Sequence, residues 1–252
     1  MKARDLLVRA AITFAVAAAL VVALLVSRYR FDFEPAWRYR ALYGSGILVT
    51  LGATALAFAI GMALGVGVAL LRLSRRLAVR HLGDLYVEVI RGTPFLVQIT
   101  IAYFGIAPIF RLGNKFVVGT FALGVFAAAY MGEIFRAGVE SIDRGQVEAA
   151  RSLGLSRAQT LRHIVFPQAF KRMIPPLTGE LIALTKESSL LFAIGLVEMT
   201  AAARQVGTDT FKFLEALIVV AAMYLTLTVP LSLLARKLER RLKRSERTGV
   251  HL

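Results

Sequence analysis

From Ala41 to Leu71 the chain runs without a single charged side chain. A stretch of about 20 predominantly apolar residues is enough to cross the hydrocarbon core of a bilayer as a helix. A run this long cannot be hidden inside a chain of 252 residues as an ordinary core helix, so it commits the protein to a membrane. Lipid offers no partner to a bare N–H or C=O, and a spanning segment of this length must therefore be helical. Other apolar runs follow the same rule. Ala10–Val26 predicts a first helix and Tyr86–Phe110 a third, uncharged from Gly92 onward. Phe116 to about Val139 predicts a fourth, and Phe213 to about Ala235 the last. Between them, Leu181–Thr185 and Leu190–Val197 flank Lys186-Glu187. Neither piece spans alone, so together they make one crossing with charges inside, or a broken helix. The expectation is an all-α integral membrane protein with about six transmembrane helices. A composition that is 57% hydrophobic, with a mean hydropathy of +0.66, agrees with it.

The formal net charge of +15 would suit a nucleic-acid binder, but its distribution argues for membrane orientation. With six helices and the N-terminus inside, the inner segments carry 22 Lys and Arg and the outer segments 8. Cytoplasmic loops are enriched in these residues. Both termini and the long segment 133–180 are thereby placed in the cytoplasm, although four arginines in the outer linker 27–40 run against the rule. That linker contains Trp37, the only tryptophan, expected at the headgroup level. The first helix is read as retained rather than cleaved, since no small-x-small site precedes Arg28 and Arg30. The chain divides into 1–40 (first helix and outer linker), 41–235 (transmembrane domain) and 236–252 (basic cytoplasmic tail). There is no cysteine, and His81, His163 and His251 all fall in polar stretches, so no metal site is expected. The chain lacks any Gly-Lys pair and hence a Walker A loop; if ATP drives this protein, another chain binds it.

Two local patterns bear on packing. Ala53, Ala57, Gly61, Gly65 and Ala69, each four apart, make a stripe of small residues that suits close helix–helix contact in lipid. It serves either a subunit or gate contact, or packing within the chain. Gln146–Pro176 is the longest polar interruption. It holds one helix over Gln146–Leu153, closed by Gly154, and a second opening at Ser156 with Gln159 at capping-box spacing. Pro167 is expected to bend or end the second helix, and Pro175-Pro176 to break the chain again. The result is a helical hairpin between membrane segments.

The residues of that hairpin are specific. Glu148-Ala149-Ala150, Gly154, Ile164 and Phe166-Pro167 closely resemble the EAA loop of importer-type ABC transporter permeases, with Phe166 where the family usually has Leu. YVEVIRGTPFLVQI (86–99) is similar to the Arg-Gly-Thr-Pro segment of the polar amino acid permeases of that superfamily. AAAYMGEIFRAGVESI (127–142) is similar to the segment just upstream of the loop. The resemblance covers residues 41–235 and implies the type I ABC importer fold, with a five-helix core to which the first helix is additional. It implies that Glu148, Ala149, Ala150, Gly154 and Pro167 form a cytoplasmic coupling helix docking on a separate ATPase subunit. That partner would bind ATP and Mg, this chain no cofactor. A second permease chain, identical or not, an external amino acid binding protein and a polar amino acid substrate are implied as well, in the bacterial inner membrane. No catalysis is expected of this chain.

For the substrate pathway the candidates are Gln98, polar within an apolar helix, Glu133, and above all Lys186 and Glu187. Ionisable groups inside a membrane segment face a cavity or a partner. Mutual neutralisation at a subunit interface would satisfy the last two equally well. Glu133–Arg136 and Glu88–Arg91, each one turn apart, read as helix-surface ion pairs or as pathway groups. Two other classes stay open: a secondary transporter or channel acting alone, and an intramembrane enzyme. The first lacks the inverted repeats common in such carriers. The second has Ser45 between two glycines, but no histidine in any apolar segment.

Overall fold

The computed structural model describes residues 30–248, together with Ala15, so the expected first helix and the extreme end of the tail lie outside the described residues. A short helix α1 (Glu34–Arg38) leads into α2 (Arg40–Arg72), which covers the whole uncharged run. Then come α3 (Leu77–Gly92) and α4 (Phe95–Thr100), the latter continued by a π-helical turn (Ile101–Ile106) and a 3-10 turn (Ala107–Phe110). α5 (Lys115–Glu140) precedes the hairpin helices α6 (Arg144–Ser152) and α7 (Arg157–Thr160). α8 (Phe166–Glu187) passes into a 3-10 segment (Ser188–Ile194), and α9 (Met199–Thr210) and α10 (Phe213–Thr248) complete the chain.

Among the described residues three helices are long and apolar enough to cross a membrane: Arg40–Arg72, Lys115–Glu140 and, within α10, Phe213–Arg240. The pair α3 and Phe95–Phe110 makes a fourth if its two arms count as one span. α8 runs without a gap into its 3-10 extension through Lys186-Glu187, and this stretch is not among the helices long and apolar enough to cross.

The centre of the fold is the contact between α2 and α5. The small-residue stripe lies on it: Ala53 and Ala57 are fully buried, Ala69 nearly so, and Gly61 and Gly65 are buried between them. A β-carbon on Gly61 would lie 2.8 Å from the Ala127 side chain, and one on Gly65 2.9 Å from Met131. Gly124 and Gly132 on α5 answer from the other side, where a β-carbon would lie 2.6 Å from a side-chain carbon of Ile60 and Val68 respectively. The stripe thus serves packing within the chain. α10 is the opposite case, with only 6% of its most apolar window buried. Its outer face is left to lipid or to a neighbouring chain.

Two expectations need correction. The third helix does not begin near Tyr86 and run straight to Phe110. It starts at Leu77, stops at Gly92, and resumes after Pro94 at an angle of 100°. Thr93 is extended (φ −122°, ψ 145°), the conformation that a following proline imposes. Pro167 and Pro175-Pro176 do not break the hairpin's second helix. A π-helical turn over Leu161–Val165 carries the Phe166 N–H back to Leu161 O, so Pro167 falls in the first turn of α8, where a missing donor costs little. Pro175 and Pro176 lie inside α8, between Met173 and Leu177, both packed into the main core cluster. That packing keeps the helix continuous although two of its N–H donors are missing. Residues 199–210 form helix α9, with Met199, Ala202, Ala203 and Val206 buried against Ala216 and Val220 of α10.

Candidate functional site

The hairpin is a compact unit whose turns are chemically specified. Asp143 caps α6 by accepting from Gly145 N at 2.7 Å. At the other end Gly154 takes φ +85°. Its N–H donates to Arg151 O (3.0 Å) and that of Leu155 to Ala150 O (3.2 Å), the paired bonds of a Schellman cap. Two residues on, Ser156 and Gln159 make the full capping box: Gln159 N donates to Ser156 Oγ (3.3 Å) and Ser156 N to Gln159 Oε1 (2.8 Å). Gln168 Nε2 donates to Gln146 Oε1 (2.7 Å), and Arg172 to Ser141 O (2.5 Å), tying α8 to both ends of the α6 approach. Ile142, Val165 and Ala169 seat the hairpin on the core.

This arrangement separates the hairpin residues by role. Ala150 is 5% exposed and turns inward beneath the cap. Glu148 and Ala149 face outward, and Leu153, one turn beyond Ala149, is 82% exposed. Pro167 is exposed, with Phe166 and Phe170 stacked beside it at 6.2 Å. Arg144, Arg151, Arg157, Arg162 and Lys171 surround this apolar surface, all exposed. An apolar centre with a charged rim is the anatomy of a protein-docking surface. Of the two neighbouring alanines, only Ala149 is available to a partner.

The C-terminal ends of α2 and α5 and the first turns of α3 are joined by a chain of alternating charges. Arg80 approaches Asp84 at 3.8 Å, and Asp84 accepts from Arg72 Nε at 2.7 Å. Arg72 also pairs with Glu133, Glu133 with Arg136, and Arg136 with Glu140. Glu133 therefore binds two arginines from two helices. Its expected partner Arg136 is one of them; Arg72, 61 residues away, is not visible in any local spacing. The corresponding Glu88–Arg91 pair is not what holds Arg91, whose guanidinium lies 5.1 Å over the Tyr130 ring.

Gln98 sits at the inside of the 100° bend. Its Nε2 lies 2.7 Å from Ile90 O, 3.0 Å from Thr93 O and 2.8 Å from Thr93 Oγ1. Stopping α3 at a proline frees its last carbonyls, and the amide takes them up. Lys186 and Glu187 form the last turn of α8, Lys186 exposed and Glu187 half-buried. Adjacent residues on a helix point about 100° apart at 3.6 residues per turn, so the two cannot pair with each other. Gln98 lies on α4, which packs on the 3-10 segment that follows the Lys186–Glu187 turn. Glu133 lies toward the C-terminal end of α5, and the hairpin follows that helix.

Sequence reasoning missed Glu198. It is fully buried, and its carboxyl accepts from Thr200 N and Ala201 N (2.8 Å each) and from Tyr224 OH (3.0 Å). Burial pushes its pKa up, while these donors to the charged form pull against the shift. The signal was present as an acidic residue before Met199, Ala202, Ala203 and Val206, whose spacing is helical. The threonines, arginine and glutamine between them hid it.

Residues 57–244 match the family described as binding-protein-dependent transport system inner membrane component. The arginine transport system permease protein ArtQ of Bacillus subtilis is 36% identical over 203 residues, covering 80% of this chain and 92% of that protein. The glutamine transport system permease protein GlnP of Escherichia coli K12 is 35% identical over 217 residues, covering 85% and 99%. A crystal structure of an amino acid ABC transporter with histidines superposes with a TM-score of 0.80 at 38% identity, over 84% of this chain and 100% of that one. The MetNI methionine ABC transporter in an inward-facing conformation shares the fold at a TM-score of 0.66 and 18% identity. With three quarters of its length inside the family match, the chain belongs to the binding-protein-dependent transport system inner membrane components, the permease subunits of ABC importers.

Proposed function

We propose that this chain and a second permease chain form the pathway of an ATP-driven importer for polar amino acids, in the inner membrane of a bacterium with both chain ends in the cytoplasm. The substrate class follows from the glutamine and arginine permeases it resembles. ATP and Mg bind on a partner ATPase, an external binding protein delivers the substrate, and this chain is non-catalytic. The observation that carries the reading is the hairpin. Its caps fix α6 at one angle, it presents Glu148, Ala149 and Leu153 outward, and it continues through α7 and the π-helical turn into α8. Motion imposed on α6 is thereby delivered to Lys186, Glu187 and the 3-10 segment beyond.

The test is reconstitution. The permease, its ATPase and its binding protein are placed in vesicles with labelled glutamine, arginine or histidine. Uptake that needs ATP, the binding protein and an intact hairpin supports the importer. Uptake by the permease alone, without nucleotide, would mark a secondary transporter or channel and overturn it.

A further inference from the structure

The 100° bend between α3 and α4 leaves a groove between the bent segment and α5, with a volume of about 780 Å³. Val97, Ile101 and Ile106 form one wall, Val117, Phe121 and Val125 the other. The only polar side chains lining it are Thr93 and Gln98, and their donors are already engaged. Gln98 donates to Ile90 O and Thr93, and Thr93 Oγ1 donates to Val89 O at 2.9 Å. The carboxylate of a zwitterionic amino acid entering this groove would lose its hydration with no side-chain donor to replace it, which argues against a substrate site. A hydrocarbon chain loses nothing there. The groove runs along α5 from Val125 to Val117, within the membrane-crossing length of that helix.

Its outer mouth carries a second feature. Phe110 and Leu112 both line the groove, and Arg111 stands between them in the left-handed conformation, φ 56°. A non-glycine residue there is uncommon and carries local strain. Arg111 is exposed; its backbone N–H donates to Pro108 O at 3.0 Å, while its guanidinium makes no hydrogen bond or ion pair among the described residues. Both of its chain neighbours line the groove, so Arg111 stands beside the groove's end. A guanidinium matches a phosphate group in geometry and charge.

We propose that this groove is a binding site for one phospholipid, with an acyl chain between α4 and α5 and its phosphate on Arg111. The lipid would fill the space opened by the bend and hold the bent segment against α5. The proposal rests on the membrane-spanning character of the chain and not on the importer reading.

The experiment uses the full chain in vesicles of phosphatidylethanolamine containing phosphatidylglycerol with a diazirine on one acyl chain. After photolysis, labelled peptides are mapped. Labelling should concentrate on 97–106 and 117–125, above that of the lipid-facing part of α10, which serves as the bulk-lipid reference. Ala102→Trp, which fills the groove from a lining position, should lower groove labelling about tenfold and leave α10 labelling unchanged. Arg111→Glu, an exposed change that does not touch the packing, should lower it about threefold. Groove labelling no higher than on α10, or indifferent to both substitutions, would overturn the site. So would efficient disulfide formation between two copies carrying Val97→Cys, since the groove would then be filled by a second permease chain.

Discussion

Gly154 allows backbone strain to be separated from steric clash. Its φ of +85° lies in the region that side-chain-bearing residues avoid, yet a β-carbon built there meets nothing within 4 Å. Gly154→Ala therefore changes one thing, the cost of the left-handed conformation, about 1–2 kcal/mol. That is a factor of roughly 5–30 in the population of the native turn. Two hydrogen bonds depend on the turn, Gly154 N to Arg151 O and Leu155 N to Ala150 O, and through them the angle of α6 relative to α7. The rest of the fold is held by the α2–α5 contact and has no stake in it. Gly154→Ala should therefore express and insert normally while its ATPase co-purification and ATP-driven uptake fall several-fold. Gly154→Val should lose more, because β-branching deepens the penalty. Gly154→Asn should lie closest to the native protein, since Asn visits the left-handed region more readily. The assay is the ATPase-to-permease ratio after pull-down, followed by uptake in vesicles. The order Gly, Asn, Ala, Val is the signature of backbone strain. If Asn and Ala behave alike, or if activity follows side-chain volume alone, positive φ is not what Gly154 contributes.

Four further outcomes follow from the structure. A reporter fused after Arg172 should read cytoplasm and one after Asp209 the outside; the reverse pair would invert the proposed orientation. Lys186→Met should leave membrane insertion intact and lower uptake sharply, and normal uptake would remove this turn from the pathway. Gly61→Val places a side chain where a β-carbon already sits 2.8 Å from Ala127, so overpacking of about 1–3 kcal/mol should lower the melting temperature of the purified chain; an unchanged melting temperature would deny the close approach. Gln98→Leu should loosen the α3–α4 bend by uncovering the carbonyls of Ile90 and Thr93, seen as faster protease cleavage near Thr93; unchanged protection would show that the proline alone sets the bend.

Legibility in the sequence followed the range of the interaction involved. The uncharged run became α2 almost residue for residue, and Ser156 with Gln159 forms the capping box that their spacing predicts, because hydrophobicity and caps act locally. The stripe from Ala53 to Ala69 was visible, but its partner was not; that needed Gly124 and Gly132, more than 50 residues on. The prolines misled in both directions. Pro94 makes the sharp bend, while Pro167 and Pro175-Pro176 sit in a continuous helix, and the difference lies in what surrounds them rather than in proline itself. Arg72 on Glu133 and Glu198 beneath Tyr224 are contacts between distant segments, and no window of the sequence contains both partners.

The proline pair in α8 has a mechanical consequence. Between the hairpin and Glu187 the helix lacks two successive hydrogen bonds, those that would reach the carbonyls of Lys171 and Arg172, so its resistance to bending is lowest there. The hairpin side of this joint is clamped by Gln168 on Gln146 and Arg172 on Ser141. The other arm, from Pro176 to Glu187, is about 16 Å long at 1.5 Å per residue. A bend of roughly 10° at the joint would carry its tip through about 3 Å, enough to turn a direct polar contact into a water-bridged one. A small tilt of the docked hairpin would then break and remake contacts at Lys186 and Glu187 without disturbing the packing of α2 on α5.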